Sequence, residues 1–308
     1  MGVVIRGWGG ALPEKVVTNT DFASRLDTSD EWIVERTGIR ERRFGGSTGT
    51  LAVEAGQQAI ECAGVDAASV DIVVLATSTP DQVMPATSAY VQDALGCGGG
   101  ALDVNAACSG FVYAFVTGAG LCEVGADRAL VIGSDVMTRI TDQDDRGTAI
   151  LFGDGAGAVV LDRVDGPGNL LAWDLGADGS LRHILQCDLG SFTQMNGKEV
   201  FRQAVRVVVE SVATTLDRAG VAPADVKLFV PHQANVRIVD AVCQRVGIPV
   251  ENTAIVLDRT GNTSAASVPL ALADAAEAGR LADGDIVLLC GFGAGMTWAT
   301  AVVRWGPA

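Results

Sequence analysis

The segment Ala63–Leu75 (AGVDAASVDIVVL) returns 156 residues later as Ala219–Pro231 (AGVAPADVKLFVP). In each copy a helix-like stretch ends at Ala-Gly, a polar turn follows, and a run rich in β-branched residues reads as a buried strand. Ala129-Leu130-Val131-Ile132-Gly133 and Ile286-Val287-Leu288-Leu289-Cys290-Gly291 form a second pair, with 158 residues between the glycines. Similar spacing in two separate segments points to duplication. Continuous apolar strands alternating with longer helical segments imply a mostly parallel sheet covered on both faces, so each half is an α/β unit. The join falls at Asp165-Gly166-Pro167-Gly168-Asn169, where Gly and Pro stop regular structure. This divides the chain into halves at 1–166 and 167–308. Under the same offset Cys108 stands opposite about position 264, beside Asn262, so two pseudo-equivalent loops face each other between the halves, where clefts form.

The chain has 308 residues, 48% of them hydrophobic, enough for a large core in two domains or one doubled domain. No apolar stretch is expected to reach the roughly 18 to 20 residues of a membrane span, and Met1–Gly7 has no basic region followed by an apolar one. A cytoplasmic protein with no membrane partner is therefore expected. Seven cysteines, at 62, 97, 108, 122, 187, 243 and 290, are odd in number and scattered without a C-x-x-C, which indicates neither disulfides nor a metal site. The net charge of −15 argues against a nucleic-acid partner, since phosphate binding depends on Lys and Arg. Against that background Arg36, Arg40, Arg42 and Arg43 cluster within eight residues, and Arg202 and Arg206 share a helix face. They form either solvated surface or a grip on a phosphorylated ligand or acidic partner.

Three residues suggest acyl-thioester chemistry. Cys108 follows the strand-like Leu102–Asn105 and precedes a predicted helix from Ser109, so it should sit at that helix's N-terminus. Unpaired N–H groups and the positive end of the dipole there favour thiolate over thiol. A thiolate exchanges acyl groups with a thioester at little energetic cost, which suits reversible loading. His232, one of only two histidines, lies in Pro231-His232-Gln233-Ala234-Asn235, and Asn262 lies in a Gly-Asn-Thr turn. Imidazole and carboxamide both donate hydrogen bonds and can hold the oxygen of an enolate formed when a carboxylated thioester loses carbon dioxide. Alone, each has a plain reading: a buried small residue, a satisfied polar group, a turn former.

Asn105-Ala106-Ala107-Cys108-Ser109-Gly110-Phe111, Pro231–Ile238 (PHQANVRI), Gly261–Ser267 (GNTSAAS) and Gly291–Trp298 (GFGAGMTW) together resemble β-ketoacyl-[acyl-carrier-protein] synthase III. The likeness runs nearly end to end and takes in Ser29–Ile33, Arg36–Ile39, Asp145–Thr148 and Phe152–Gly157. It implies a thiolase fold, an α/β architecture of two pseudo-repeated halves in five αβαβα layers, and a homodimer. It also implies that Cys108 takes a short acyl group from acyl-CoA, while His232 and Asn262 assist decarboxylation of a malonyl-acyl-carrier protein. The backbone N–H groups of Cys108 and Ala294 would form the oxyanion hole. Acyl-CoA would be a substrate, with no resident cofactor. By the same resemblance Trp32 stacks on adenine and Arg36 holds phosphate, with Thr28 and Arg146 beside them. Gly197, Phe201 and Asn235 match a pantetheine tunnel, and Arg202, Gln233 and Arg237 match carrier-protein docking positions.

Two departures from the family pattern concern the acyl pocket, to which Met84 and Phe152 are assigned. The segment between Asp178 and Asn196 looks about ten residues shorter than in many relatives. Met84 stands where many relatives place a pocket-closing aromatic from the partner subunit. Acetyl, propionyl and branched short primers all stay open. Gly153-x-Gly155-x-Gly157 and Gly291-x-Gly293-x-Gly295 are weak nucleotide-loop signals, since no helix and acidic residue follow at the right distance. Asp142-Gln143-Asp144-Asp145 reads as an acidic surface loop, and His183 as an exposed residue. A relative that passes the Cys108 acyl group to another acceptor, and a non-catalytic scaffold, remain alternative readings.

Overall fold

The structure is a computed structural model and describes residues 2–307; Met1 and Ala308, the outer ends of the two halves, lie outside the described residues. The repeated apolar runs become central strands of two matching sheets. The first has the order Gly2–Ala11, Asp154–Val164, Arg128–Val136, Ile72–Ala76, Gly100–Val104. The second runs Leu170–Ala177, Thr297–Arg304, Ile286–Gly293, Val226–Pro231, and Phe229 forms a parallel bridge with Thr253 where a fifth strand would stand. In both sheets the first three strands pair antiparallel and the following ones parallel. The turn at 165–169 lies between the last strand of the first sheet and the first strand of the second.

The echoed Ala-Gly pairs share one local device. The helices Thr48–Ala63 and Gly197–Ala219 both stop at a glycine in the left-handed region, Gly64 at φ 65° and Gly220 at φ 66°. The next residue then donates its N–H back into the last turn, Val65 to Ile60 and Val221 to Leu216.

Layering follows from which helices are apolar all round. Gly110–Val124 buries Phe111, Val112, Ala114, Phe115 and Ala119, residues that cover more than one face, so it must be enclosed. With Ser267–Glu277 it lies between the sheets, packed on Val74, Val131 and Val159 of the first and Leu228, Val230 and Leu289 of the second. Outer helices need only one apolar face. Thr48–Ala63 and Thr87–Leu95 cover the far side of the first sheet, and Gly197–Ala219 and Val236–Val246 cover the far side of the second. The result is the expected five-layer αβαβα arrangement. One expectation is corrected: the 18-residue stretch Ala107–Val124 does reach the length and apolarity of a membrane span. Its apolarity reflects its place between two sheets.

Candidate active site

Cys108 sits in a single 3-10 turn, Ala107–Ser109, that runs directly into the Gly110–Val124 helix. The turn is anchored from both halves. Ser109 Oγ donates to Ala106 O at 2.7 Å, and Thr297 Oγ1, from the second half, donates to the same carbonyl at 2.9 Å. Gly293 packs so closely on this turn that a Cβ there would lie 2.6 Å from Cys108 N.

His232 follows the strand Val226–Pro231 and is held by its backbone N–H to Cys290 O at 2.7 Å. Its ring stands edge-on to Phe292, with centroids 5.1 Å apart. Asn262 is fixed on both sides of its peptide, donating to Leu151 O at 2.8 Å and accepting from Gly153 N at 3.0 Å. Its side chain meets the N–H of Ser264 at 2.9 Å. Only an oxygen can accept there, so the amide nitrogen is the end left for the cavity.

Cys108, His232 and Asn262 all line one cavity of about 130 Å³, together with Phe152, Gly197, Phe201 and Asn235. Cys108 and Phe152 also line a second cavity of about 80 Å³, whose wall includes Met137, Ile140, Leu185, Cys187 and Ala294. The sulfur therefore stands where the first cavity meets a smaller, mostly apolar chamber. Leu185–Gln186 and Gln194–Met195 form a hairpin within the segment between Asp178 and Asn196, and it supplies one wall of that chamber. Met84 is 80% exposed and outside both cavities of this chain.

The residues expected to meet a nucleotide lie together at the surface, beside the first cavity. The guanidinium groups of Arg36 and Arg146 lie 5.5 and 5.1 Å from the Trp32 ring centroid. Arg146 also donates to Asp27 O at 2.7 Å, next to Thr28, whose hydroxyl is buried without a hydrogen-bond partner. Asn235 joins this group to that cavity: it lines the cavity wall, and its Nδ2 donates to Arg36 O at 2.9 Å. Arg237 is exposed with its guanidinium 6.0 Å from the Phe201 ring, and Arg202 is exposed and paired with Glu199 at 2.6 Å.

Three expectations are corrected. Gln233 is fully buried and cannot dock a carrier protein. Its Nε2 donates to Pro231 O at 2.7 Å and Ala254 O at 3.1 Å, and its Oε1 accepts from Val256 N and Leu257 N. It ties the His232 loop to the segment leading towards Asn262. Arg42 is likewise buried, not part of an exposed cluster; it donates to Asn19 Oδ1 at 2.6 Å and lies over Phe22. Burial pushes its guanidinium down to about 10, which leaves it charged at neutral pH. Finally, the resting Cys108 is a thiol. Burial pushes it up to about 12, with a hydrogen bond from Ser264 pulling the other way. The helix N-terminus opposes that desolvation and stabilises the charge that develops at the sulfur during attack. His232 is neutral too, since burial pushes it down to about 3.

Several site residues went unassigned in the sequence. Asp135 is buried; its Oδ1 accepts from Thr77 Oγ1, Ser78 N and Thr79 N, and its Oδ2 from Ala265 N at 3.0 Å across the halves. Ser264 and Ser267 lie within the Gly261–Ser267 motif, which by itself assigns them no role, and Cys187 carries no signal beyond its type. Asp142 and Gln143 are half-buried, and Asp144 and Asp145 are exposed, with Asp145 capping the Arg146–Ala149 helix. His183 is exposed. The glycines of the two G-x-G-x-G runs serve close packing: a Cβ on Gly157 would lie 2.7 Å from Leu270 N. Among the described residues no group of His, Cys, Asp and Glu is placed to hold a metal ion.

Comparison with known proteins agrees with this geometry. Residues 102–179 match the family model for 3-oxoacyl-[acyl-carrier-protein] synthase III, and residues 216–305 match the model for its C-terminal part. The beta-ketoacyl-[acyl-carrier-protein] synthase III of Erythrobacter litoralis is 50% identical, covering 98% of each chain. The crystal structure of 3-oxoacyl-(acyl carrier protein) synthase III from Pseudomonas aeruginosa superposes with a TM-score of 0.96 at 44% identity, covering 100% of this chain and 99% of that one. The priming beta-ketosynthase of the R1128 polyketide pathway gives 0.94 at 36% identity, over 98% and 96% of the two chains. With near-complete coverage at such identity, the chain belongs to the 3-oxoacyl-[acyl-carrier-protein] synthase III family.

Proposed function

We propose that the protein condenses a short acyl-CoA primer with malonyl-acyl-carrier protein, giving a 3-oxoacyl-carrier protein and so starting fatty-acid synthesis. The observation that carries this reading is the convergence of Cys108, His232 and Asn262 on one cavity, with tunnel residues on one side and a small chamber on the other.

In loading, the Cys108 sulfur attacks the thioester carbonyl. Charge developing on sulfur faces the helix N-terminus, the Ser264 hydrogen bond and the residue's own N–H. The carbonyl oxygen is received by the backbone N–H groups of Cys108 and Ala294. The carbon–sulfur bond to CoA breaks, and the thiol proton ends on CoA. In condensation, malonyl-carrier loses carbon dioxide while the Asn262 amide and the His232 imidazole donate to the enolate oxygen. The resulting carbanion attacks the Cys108 thioester, and the sulfur leaves and regains a proton.

Trp32 and Arg36, with Arg146 and Thr28, would hold the nucleotide end of CoA, and Gly197, Phe201 and Asn235 its pantetheine arm. Arg202 and Arg237 supply exposed positive charge for an acidic carrier protein on a chain of net charge −15. The reading includes a cytoplasmic homodimer, with the exposed Met84 closing the partner's acyl chamber, and no cofactor beyond the CoA substrate. Likeness to the polyketide priming enzyme supports a second reading, in which the same condensation starts a polyketide.

Intact-protein mass spectrometry tests the proposal. Acetyl-, propionyl- and isobutyryl-CoA are supplied in turn, then malonyl-carrier. An acyl mass on Cys108 that malonyl-carrier discharges as 3-oxoacyl-carrier supports the proposal. An acyl mass that malonyl-carrier leaves in place points to another acceptor, and no acylation by any primer overturns the enzymatic reading.

A further inference from the structure

His232 enters the proposed condensation as a donor, so its outward nitrogen, Nε2, must carry the proton. The ring is neutral, and only one nitrogen has a hydrogen. Its other nitrogen, Nδ1, lies 2.7 Å from the hydroxyl of Ser267, the first residue of the second central helix. That serine is fully buried.

The hydroxyl has three neighbours and one proton. Gln233 N–H, at 3.3 Å, can only donate to it. Ser264 O, at 2.8 Å, can only accept from it. Nδ1 can do either, so the hydroxyl decides the tautomer. Given to Ser264 O, its proton obliges Nδ1 to carry the ring hydrogen, and a bare Nε2 lone pair then faces the place where enolate charge develops. Given to Nδ1, it leaves the hydrogen on Nε2. Ser264 O loses no partner in the second arrangement, because it already accepts the backbone N–H of Ser267. The hydroxyl oxygen still accepts from Gln233, and Nδ1 is paired.

We propose that Ser267 is a positioning residue that donates its hydroxyl proton to His232 Nδ1 and thereby keeps Nε2–H directed into the cavity. The proposal rests on the ketosynthase reading for its consequence in catalysis, but the tautomer itself is measurable without substrate. It also gives Gln233 a part in the site: its backbone N–H holds the serine oxygen while its side chain braces the two loops.

Two measurements test it. The chain has two histidines, so imidazole ¹⁵N labelling gives two ring systems, and His183→Gln leaves only His232. The expected spectrum of the free protein at neutral pH shows a protonated Nε2 and an unprotonated Nδ1; the opposite tautomer overturns the proposal. In Ser267→Ala, Cys108 loading from acyl-CoA should stay within about threefold of wild type, while malonyl-carrier decarboxylation falls by about 10- to 100-fold, by analogy with metal-ligating histidines that lose the partner orienting them. Ser267→Thr, which keeps the hydroxyl, should recover most of that loss. Equal losses in both half-reactions, or no recovery in the threonine variant, would reduce Ser267 to a packing residue. A wild-type protein that loads no acyl group would sink the ketosynthase reading, whereas the tautomer spectrum would still decide what Ser267 does to the ring.

Discussion

Asn105 and Asn262, 157 residues apart, open the two central turns in the same way. Each accepts a hydrogen bond from the backbone N–H two residues on, Ala107 at 3.2 Å and Ser264 at 2.9 Å. Those next residues are the only non-glycine positions with positive φ among the described residues, 48° at Ala107 and 52° at Ser264. Each turn then enters a central helix and presses on a strand of the opposite half. A Cβ on Gly133 would stand 2.3 Å from Ala265 O, and one on Gly291 2.8 Å from Ser109 Cα. The clasp is reciprocal: Thr297 of the second half holds the first turn, and Asp135 of the first half holds the second. The side chains differ. The first turn buries Cys108 and leaves Asn105 exposed; the second puts alanine opposite the cysteine and buries Asn262. On the proposed reading, this duplicated backbone device has two jobs, nucleophile on one side and hydrogen-bond donor on the other.

The largest break in this comparison is Cys108→Ala, which should abolish acyl loading as read by intact mass, because no sulfur remains. Asn262→Ala should load normally and condense about 10² to 10³ times more slowly, the usual cost of one donor to a developing oxyanion. Gly133→Ala should lower the unfolding free energy by about 3 kcal/mol in denaturant titration, since the added methyl meets backbone that cannot move aside, with a smaller loss for Gly291→Ala. A pH series sharpens the contribution of His232. The unfolded chain binds a proton there below about pH 6.5 and the folded chain does not until about pH 3, so stability is complete above 6.5 and falls as the pH drops. Between pH 6.5 and 5 the loss should be about 2 kcal/mol, and His232→Asn should flatten that slope. The smallest effect expected is from Asn105→Ala: about 1 kcal/mol for one exposed turn hydrogen bond, with condensation near normal. Similar kinetic losses in Asn105→Ala and Asn262→Ala would erase the division of labour.

Much of this symmetry was legible before the structure. The Ala-Gly echo marked matching helix ends, and the glycines that close the second pair of runs, Gly133 and Gly291, proved to be the seats for the two turns. The motif around Cys108, His232 and Asn262 located the cavity. Burial was harder to read, because it depends on what the other half brings. Gln233 looks like an exposed polar neighbour of His232 until the loop at 254–257 closes over it. Arg42 belongs by sequence to an arginine-rich surface, and only the fold encloses it beside Phe22. The helix N-terminus at Cys108 was visible in the sequence, but the desolvation that keeps the thiol protonated was not.

The most direct test sets Asn262→Ala beside wild type, each first loaded with acetyl-CoA and then given malonyl-carrier, with the acyl mass on Cys108 followed in time. The expected result is equal loading, followed by rapid discharge in wild type and persistence of the acyl mass in the variant. Discharge of both at the same rate, with 3-oxoacyl-carrier formed, would contradict the assignment of nucleophile and donor to separate turns.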